Sequence, residues 1–230
     1  ELFADACIDF ISDCDADEPF FMYCSFMAPH DPRTMPKRFL DMYDPEKIEL
    51  PPNFLGGHPF DNGELWIRDE QLEKWPRTPE AIRRHLAEYY AMITHIDAEM
   101  KRVLDTLEEQ GRLEDTIIVF AGDNGLALGQ HGLMGKQSCY EHSVHVPFMM
   151  AGPGVPARER RQAFCYLIDI FPTLCELTGT TVPESVDGHS LVPALRDESE
   201  RVRDTLHFAY RQFQRAVRDD RFKLIEYFVN

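Results

Sequence analysis

The sequence has 230 residues, of which 43% are hydrophobic and 28% are charged, and these proportions exclude a disordered or fibrous chain. The formal net charge of −16 at pH 7 argues against a nucleic-acid-binding surface, since such a surface needs a basic face. No stretch approaches the roughly 20 consecutive apolar residues of a membrane-spanning helix, so no membrane segment is predicted.

The N-terminal part of the chain predicts a helix, a buried strand and a long irregular segment, in that order. Residues 2–13 place apolar side chains at helical spacing. The run 19–26 is almost wholly apolar, which is typical of a strand buried on both faces of a parallel sheet. Residues 34–78 show no sustained period, so we expect a long excursion over the surface, of the kind that is usually functional.

Residues 78–111 predict the clearest helix of the sequence. Thr78 suits the N-cap, Pro79 suits the first helical position, and Gly111 ends the helix. The predicted apolar stripe consists of Leu86, Tyr90, Ile93, Ile96, Met100, Val103, Leu104 and Leu107.

The C-terminal half alternates predicted strands and helices. We expect buried strands at 116–122 and 146–152, and a helix at 166–179 that ends at Gly179. The last residues predict antiparallel strands around a turn at 219–220. Together these elements indicate an α/β core with a small antiparallel annex.

The six cysteines form no CxxC pair, and several lie in apolar runs. Buried free thiols are therefore favoured over disulfides, and a cysteine zinc site is disfavoured by the spacing.

Asp123 and Asn124 stand where the predicted strand 116–122 ends. In open α/β sheets, ligands gather at the carboxyl ends of the strands. Carboxylate and amide oxygens are ligands that Ca²⁺ or Mg²⁺ prefers, and the glycines on either side let the backbone turn tightly around an ion. The alternative is a simple turn, because Asp, Asn and Gly are the residues that turns prefer. The position after a buried strand favours the metal site.

Four basic side chains are candidates for contact with an anionic ligand. His30 follows the run 19–26 and could contact an anion or donate a proton, although a lone His is more often a surface or core residue. Lys136 could hold an anionic oxygen as a point charge, or be an ordinary solvated lysine. Arg33 has a weaker case for the same role, and His131 is open between ligand contact and loop packing.

Several blocks of the sequence resemble type I sulfatases of the alkaline-phosphatase superfamily, in order and spacing. The blocks are PFFMYCSFMAPHDPR, YYAMITHIDAEMKRVLDTLEEQGRLEDTIIVFAGDNG, GQHGLMGKQSCYEHSVHVPFMMAGPGV, DIFPTLCELTG and DGHSLVPAL. The resemblance implies part of an alkaline-phosphatase-like α/β/α sandwich over residues 1–200. It also implies the start of an antiparallel C-terminal subdomain at 201–230.

The resemblance further implies hydrolysis of a small-molecule or carbohydrate sulfate ester at a divalent ion, usually Ca²⁺. The nucleophile of such enzymes is a formylglycine, made from a Cys or Ser in a C/S-x-P-x-R motif. In that scheme Asp123 and Asn124 are metal ligands, Lys136 binds the sulfate oxygens, and His30 contacts the sulfate or the leaving-group oxygen. Lys136 and His30 are thus the expected catalytic residues, with Arg33 and His131 as further substrate contacts.

Neither C-x-P-x-R nor S-x-P-x-R occurs in the 230 residues. We therefore expect a sulfatase fragment that is inactive alone and assembles with a complementary N-terminal part. Two alternatives stay open. One is a phosphatase, phosphodiesterase or phosphonate monoester hydrolase of the same superfamily, and the other is a non-catalytic binding module. The sequence makes no prediction of localisation.

Overall fold

A computed structural model describes residues 1–15 and 18–228 of the chain. The α-helices in these residues are α1 (Leu2–Asp13), α2 (Lys37–Leu40), α3 (Pro79–Glu109), α4 (Glu141–Val144), α5 (Ile170–Thr178) and α6 (Val192–Arg196). The β-strands are β1 (Ile118–Ala121), β2 (Phe148–Ala151), β3 (Leu206–Tyr210), β4 (Gln214–Arg218) and β5 (Lys223–Tyr227). None of the described helices combines the length and the apolar character that crossing a bilayer demands.

The chain divides into two compact units. The first unit comprises Glu1–Gly57, Glu73–Thr116 and Leu128–Leu133, and the second comprises His58–Leu72, Ile117–Ala127 and Met134–Asn230. The boundary expected near residue 200 stays a prediction.

The two predicted helices of the first unit, α1 and α3, are confirmed. The side chain of Thr78 accepts a hydrogen bond from the backbone N–H of Ala81 (3.2 Å), which caps α3 as the sequence predicts. The two helices pack against each other around a buried cluster of Ala4, Cys7, Ile11, Val103 and Leu107.

The apolar stripe predicted for α3 is only partly right. Leu86, Val103 and Leu107 are buried, whereas Tyr90 and Ile93 are 38% and 42% exposed. The prediction assumed one straight contact face along the helix. In the structure α3 packs on α1, on α2 and on the segment Pro45–Lys47, so the buried face also takes in Ile82, Ala87, Ala91 and Met92.

The run 19–26 is not a strand in the structure, and the prediction of burial on both faces is wrong. Exposure alternates along it. Phe20, Met22, Cys24 and Phe26 pack against the α1–α3 cluster, while Phe21 and Tyr23 are 78% and 83% exposed. Within the described residues no strand pairs with this run and nothing covers its outer face.

Strands β1 and β2 lie where the sequence predicts strands, but they pair antiparallel, with Ile118 opposite Ala151 and Ala121 opposite Phe148. The sequence indicated a parallel sheet from the run 19–26 alone and did not predict how these two strands pair. Neither strand is fully buried, and Met149 is 59% exposed, because no further described strand or helix covers that side chain.

The predicted C-terminal antiparallel annex is confirmed as a three-stranded sheet of order β3-β4-β5. Asp219 shapes the predicted turn between β4 and β5, since its carboxylate accepts from the backbone N–H groups of Arg221 (2.8 Å) and Phe222 (2.6 Å). The predicted helix before Gly179 is α5, preceded by a 3₁₀ turn, and Gly179 ends it in the left-handed region at φ 70°. All six cysteines are free, and three of them are buried.

Candidate functional site

Asp123 and Asn124 lie in the loop that follows β1, in the second unit. Because β1 and β2 are antiparallel, the start of β2 lies beside this loop, and the N–H of Gly122 donates to the carbonyl oxygen of Pro147 (3.1 Å). The N–H of Gly125 donates to the carbonyl oxygen of Ser143 (2.9 Å). Backbone contacts therefore fix both ends of the Asp-Asn pair.

The two side chains are exposed and each keeps an oxygen available. One carboxylate oxygen of Asp123 accepts from the N–H of Asn124 (2.8 Å), and the side-chain amide of Asn124 donates to the carbonyl oxygen of Gly125 (3.0 Å). Across residues 1–15 and 18–228 the second carboxylate oxygen and the amide oxygen have no protein partner. Two hard oxygens of this kind fit Ca²⁺ or Mg²⁺ as part of a larger ligand set.

Lys136 lies in a segment that is hydrogen-bonded to the same loop. The N–H of Ala127 donates to the carbonyl oxygen of Gly135 (2.8 Å), so the structure brings the Asp-Asn loop and the lysine segment together. Lys136 is half-buried, and in the described part of the chain no carboxylate pairs with its ammonium group. Its charge is thus available to an anionic ligand.

His30 and Arg33 lie in the first unit, in different environments. His30 is exposed, and its Nδ1–H donates to the carbonyl oxygen of Asp31 (2.8 Å), which leaves Nε2 as the ring's accepting nitrogen. The Arg33 side chain is 8% exposed and pairs with Glu88 at 3.3 Å and Asp31 at 3.7 Å. Protein carboxylates already balance the charge of Arg33, which weakens its case as a substrate contact.

His85, which the sequence gave no reason to single out, is the third partner of Arg33. Burial and the neighbouring guanidinium lower the pKa of His85 below its ordinary 6.5, although Glu73 and Glu88 oppose this. A neutral ring explains both contacts, since Nδ1 accepts from Arg33 while Nε2–H donates to Glu73 (3.0 Å).

His131 serves loop packing in the first unit. It adopts a positive φ of 54°, its N–H donates to the carbonyl oxygen of Asn53 (2.9 Å), and its Nε2 contacts the side-chain amide of Asn53 (3.0 Å). A ligand contact by His131 stays a prediction.

A second acidic cluster was not foreseen from the sequence. Glu1, His95 and Glu99 place potential ligand atoms within 4.8 Å of one another in the first unit. Arg102 already donates to the Glu99 carboxylate (2.6 Å), so this cluster has a positive partner without an ion. It is a weaker candidate metal site than the loop after β1.

Comparison with known proteins decides the family. The family model for sulfatases matches residues 1–180. The chain belongs to the sulfatase family. An arylsulfatase of Clostridium perfringens is 35% identical over 205 residues, which are 87% of this chain and 42% of the relative. A choline-sulfatase of Rhizobium meliloti is 33% identical over 189 residues, or 79% of this chain and 36% of the relative.

A solved structure supports the predicted fold class. The phosphonate monoester hydrolase SpPMH from Silicibacter pomeroyi superposes with a TM-score of 0.83 at 27% sequence identity, over 99% of this chain and 52% of that chain. The alkaline-phosphatase-like fold class predicted from the sequence is therefore confirmed. The chain spans less than half the length of each of these two curated relatives.

Proposed function

We propose that this chain is part of an enzyme that hydrolyses a sulfate ester at a divalent cation. The observation that carries the proposal is the loop after β1 in a sulfatase-family chain. Asp123 and Asn124 each offer a hard oxygen there, and the loop is hydrogen-bonded to the segment that bears Lys136. Oxygen ligands joined to a segment with an unpaired cation suit an oxyanion substrate held by a metal ion.

The proposed role of each residue follows from the charge or the oxygen atom that its side chain offers. Asp123 and Asn124 hold Ca²⁺ or Mg²⁺, which when bound polarises the S–O bonds of the ester. Lys136 holds a sulfate oxygen and opposes the negative charge that builds as the ester bond breaks. The roles expected of His30, Arg33 and His131 stay predictions.

The proposed nucleophile is a formylglycine outside these 230 residues, because no residue here stands in a C/S-x-P-x-R motif. Cys139, three residues after Lys136, is a poor substitute. It is 1% exposed, and burial raises the pKa of its thiol above the ordinary 9.0, although Lys223 and Arg215 oppose this. We therefore expect the 230 residues alone to leave an aryl sulfate intact.

The experiment that tests the function uses the complete protein that contains this chain, with an aryl sulfate as substrate. Asp123→Asn and Lys136→Ala are each expected to lower kcat/KM by about 100-fold or more, since each removes charge that stabilises the transition state. Asp187→Asn is the matched control, because Asp187 is an exposed carboxylate of the same unit. Values for Asp123→Asn and Lys136→Ala that match the Asp187→Asn control would contradict the proposal.

Phosphonate ester hydrolysis is the second candidate, and the similarity to SpPMH favours it. The two activities are separated by measuring kcat/KM of the complete protein for an aryl sulfate and for the matching aryl phosphonate monoester. We expect the sulfate to be preferred.

We further propose that the outer face of residues 19–27 is covered by more polypeptide of the same sulfatase. This face consists of Phe21, Tyr23 and Met27, whose exposed fractions are 78%, 83% and 74%. Within the described part of the chain, the backbone of 19–26 forms no hydrogen bond to another segment. An extended run with one packed face and two open edges accepts an added strand, and relatives more than twice as long supply a source for one.

Amide hydrogen exchange tests this coverage. Amides of 20–27 are expected to exchange rapidly in the 230-residue chain and to be protected in the complete protein. Protection that appears in the 230-residue chain as its concentration rises would assign the face to a second copy instead. Rapid exchange in both proteins, or a coding sequence that starts and stops with these residues, would also contradict the proposal.

A further inference from the structure

Lys136 lies in a segment whose backbone is held by side chains from distant parts of the second unit. The Glu70 carboxylate accepts hydrogen bonds from the N–H of Met134 (3.0 Å) and the N–H of Gly135 (2.9 Å). The next N–H, that of Lys136 itself, donates to the side-chain oxygen of Gln137 (2.9 Å). Side-chain oxygens thus hold three consecutive backbone N–H groups that end at the lysine.

Gln137 is in turn fixed from two sides. Its side-chain amide donates to Asp69 (2.8 Å), the neighbour of Glu70 in the chain. Gln214 of β4, which is completely buried, accepts from the N–H of Cys139 (3.0 Å) and donates to the carbonyl oxygen of Gln137 (3.3 Å). The lysine segment is therefore held on both flanks, by residues 69–70 and by β4.

The Glu70 carboxylate can approach the backbone of residues 134–135 closely because residue 135 is a glycine. A Cβ at Gly135 would lie 2.9 Å from a Glu70 oxygen and 2.7 Å from the Gln137 side-chain oxygen, closer than side chains allow. Consecutive N–H groups of this kind commonly bind an anion. Here the 4% exposed carboxylate of Glu70 takes that place, so the N–H groups of Met134 and Gly135 do not serve a substrate. The ammonium group of Lys136 remains as the anion contact of the segment.

We propose that Glu70 is the positioning residue for Lys136: it fixes the backbone at 134–136 so that the lysine meets the substrate sulfate in one orientation. This inference rests on the proposed role of Lys136. It adds a residue, 64 positions before Met134 in the sequence, on which that role depends.

The test is a double-mutant cycle in the complete protein with an aryl sulfate. Glu70→Gln is expected to lower kcat/KM by about tenfold or more, because a small displacement of a catalytic group costs up to about 100-fold. In a Lys136→Ala background Glu70→Gln is expected to lower kcat/KM no further, because Glu70 then has no lysine to position. Glu64→Gln is the matched control, since Glu64 is a buried carboxylate of the same unit that pairs with Arg211 (3.1 Å) instead.

A second readout uses the 230-residue chain. Hydrogen exchange at the amides of Met134 and Gly135 is expected to accelerate in Glu70→Gln and to stay unchanged in Glu64→Gln. Glu70→Asp, which keeps the charge on a shorter side chain, replaces Glu70→Gln in both readouts if the amide variant does not fold. Glu70→Asp is expected to lower kcat/KM, and to accelerate the exchange, by less than Glu70→Gln does.

The outcomes separate the two proposals. If Lys136→Ala retains wild-type turnover, the proposed function fails and this inference fails with it. If Lys136→Ala is impaired but Glu70→Gln behaves like Glu64→Gln, only the positioning role is overturned. Equal losses from Glu70→Gln in the wild-type and Lys136→Ala backgrounds would also overturn it, because Glu70 would then act independently of the lysine.

Discussion

Asp169 is a completely buried carboxylate that binds four donor groups of the second unit. Arg203 donates to both of its oxygens (2.5 and 2.9 Å), and the N–H groups of Tyr166 (2.7 Å) and His189 (2.9 Å) complete the set. Burial alone would raise the pKa of Asp169, but these partners outweigh it and hold the pKa below the ordinary 3.8.

Asp169→Asn is expected to lower the free energy of unfolding by about 3–5 kcal/mol near neutral pH, since it leaves Arg203 without its counter-charge. Because the folded pKa is depressed, this contribution is complete above the unfolded pKa and is lost as pH falls through the folded value. The difference in unfolding free energy between wild type and Asp169→Asn, measured with urea, should therefore be constant from about pH 5 to 7 and decrease below about pH 4. A difference that does not decrease in acid, or an equal difference for Asp187→Asn, would contradict this account.

At the residue scale, the sequence identified groups that could bind a ligand but not the groups that hold them. Asp123, Asn124 and Lys136 stood out because charged and amide residues followed a predicted strand. Glu70 and Gln214 did not, because nothing in the sequence shows that they meet residues 134–139. Their contacts depend on the packing of segments far apart in the chain.

At the element scale, the loop after β1 depends on the close approach of two backbones. A Cβ at Gly125 would collide with the carbonyl oxygen of His142, a residue of α4. Gly125→Ala is therefore expected to lower the free energy of unfolding by about 1–3 kcal/mol, as overpacking does, and to displace the Asp-Asn pair. Urea unfolding measures the first effect.

The matched control is Gly56→Ala. Its added Cβ would lie 3.5 Å from the nearest atom, the carbonyl oxygen of Arg77, which is an ordinary contact. We expect Gly56→Ala to be neutral or slightly stabilising. Equal unfolding free energies of the two variants would mean that the loop after β1 shifts to accommodate the extra methyl group at little cost.

The N-terminus of α3 gives a second test at this scale. Thr78→Ala removes the side-chain acceptor for the N–H of Ala81 and is expected to cost about 1 kcal/mol of unfolding free energy. Thr78→Ser keeps the acceptor and should cost much less. Denaturant unfolding followed by circular dichroism compares the two, and an equal loss would assign the effect to the Thr78 methyl group instead.

The sequence predicted α1, α3, α5 and the C-terminal sheet well. The features that specify them, which are capping residues, turn residues and the spacing of apolar side chains, lie within or next to each element. They failed for the run 19–26, where an apolar sequence indicated burial on both faces. Burial and pairing depend on what lies alongside a strand, and a strand's own residues do not encode its neighbours. For the same reason the antiparallel pairing of β1 with β2 was not predicted from the sequence.

At the scale of the whole molecule, we expect the exposed side chains of 19–27 to determine how strongly the 230-residue chain self-associates. The variant that combines Phe21→Thr, Tyr23→Thr and Met27→Thr is expected to self-associate less, because exposed apolar patches drive association. Its unfolding free energy should change little, since these side chains bury little surface. Sedimentation velocity and urea unfolding measure the two quantities.

Met22→Thr is the control on the opposite face of the same run. Met22 packs against the α1–α3 cluster, so this change should destabilise the chain without reducing association. A triple variant that destabilises as much as Met22→Thr would show that the outer face is already packed in solution.

The hydrogen bonds that surround Lys136 also set an order of assembly during synthesis. Glu70 precedes Met134 by 64 residues, and Gln214 follows Cys139 by 75. Contacts of such long sequence separation form late, since a large loop must close first. A growing polypeptide therefore cannot complete the lysine segment until β4 has left the ribosome, so the proposed anion contact matures only after Gln214 has been synthesised.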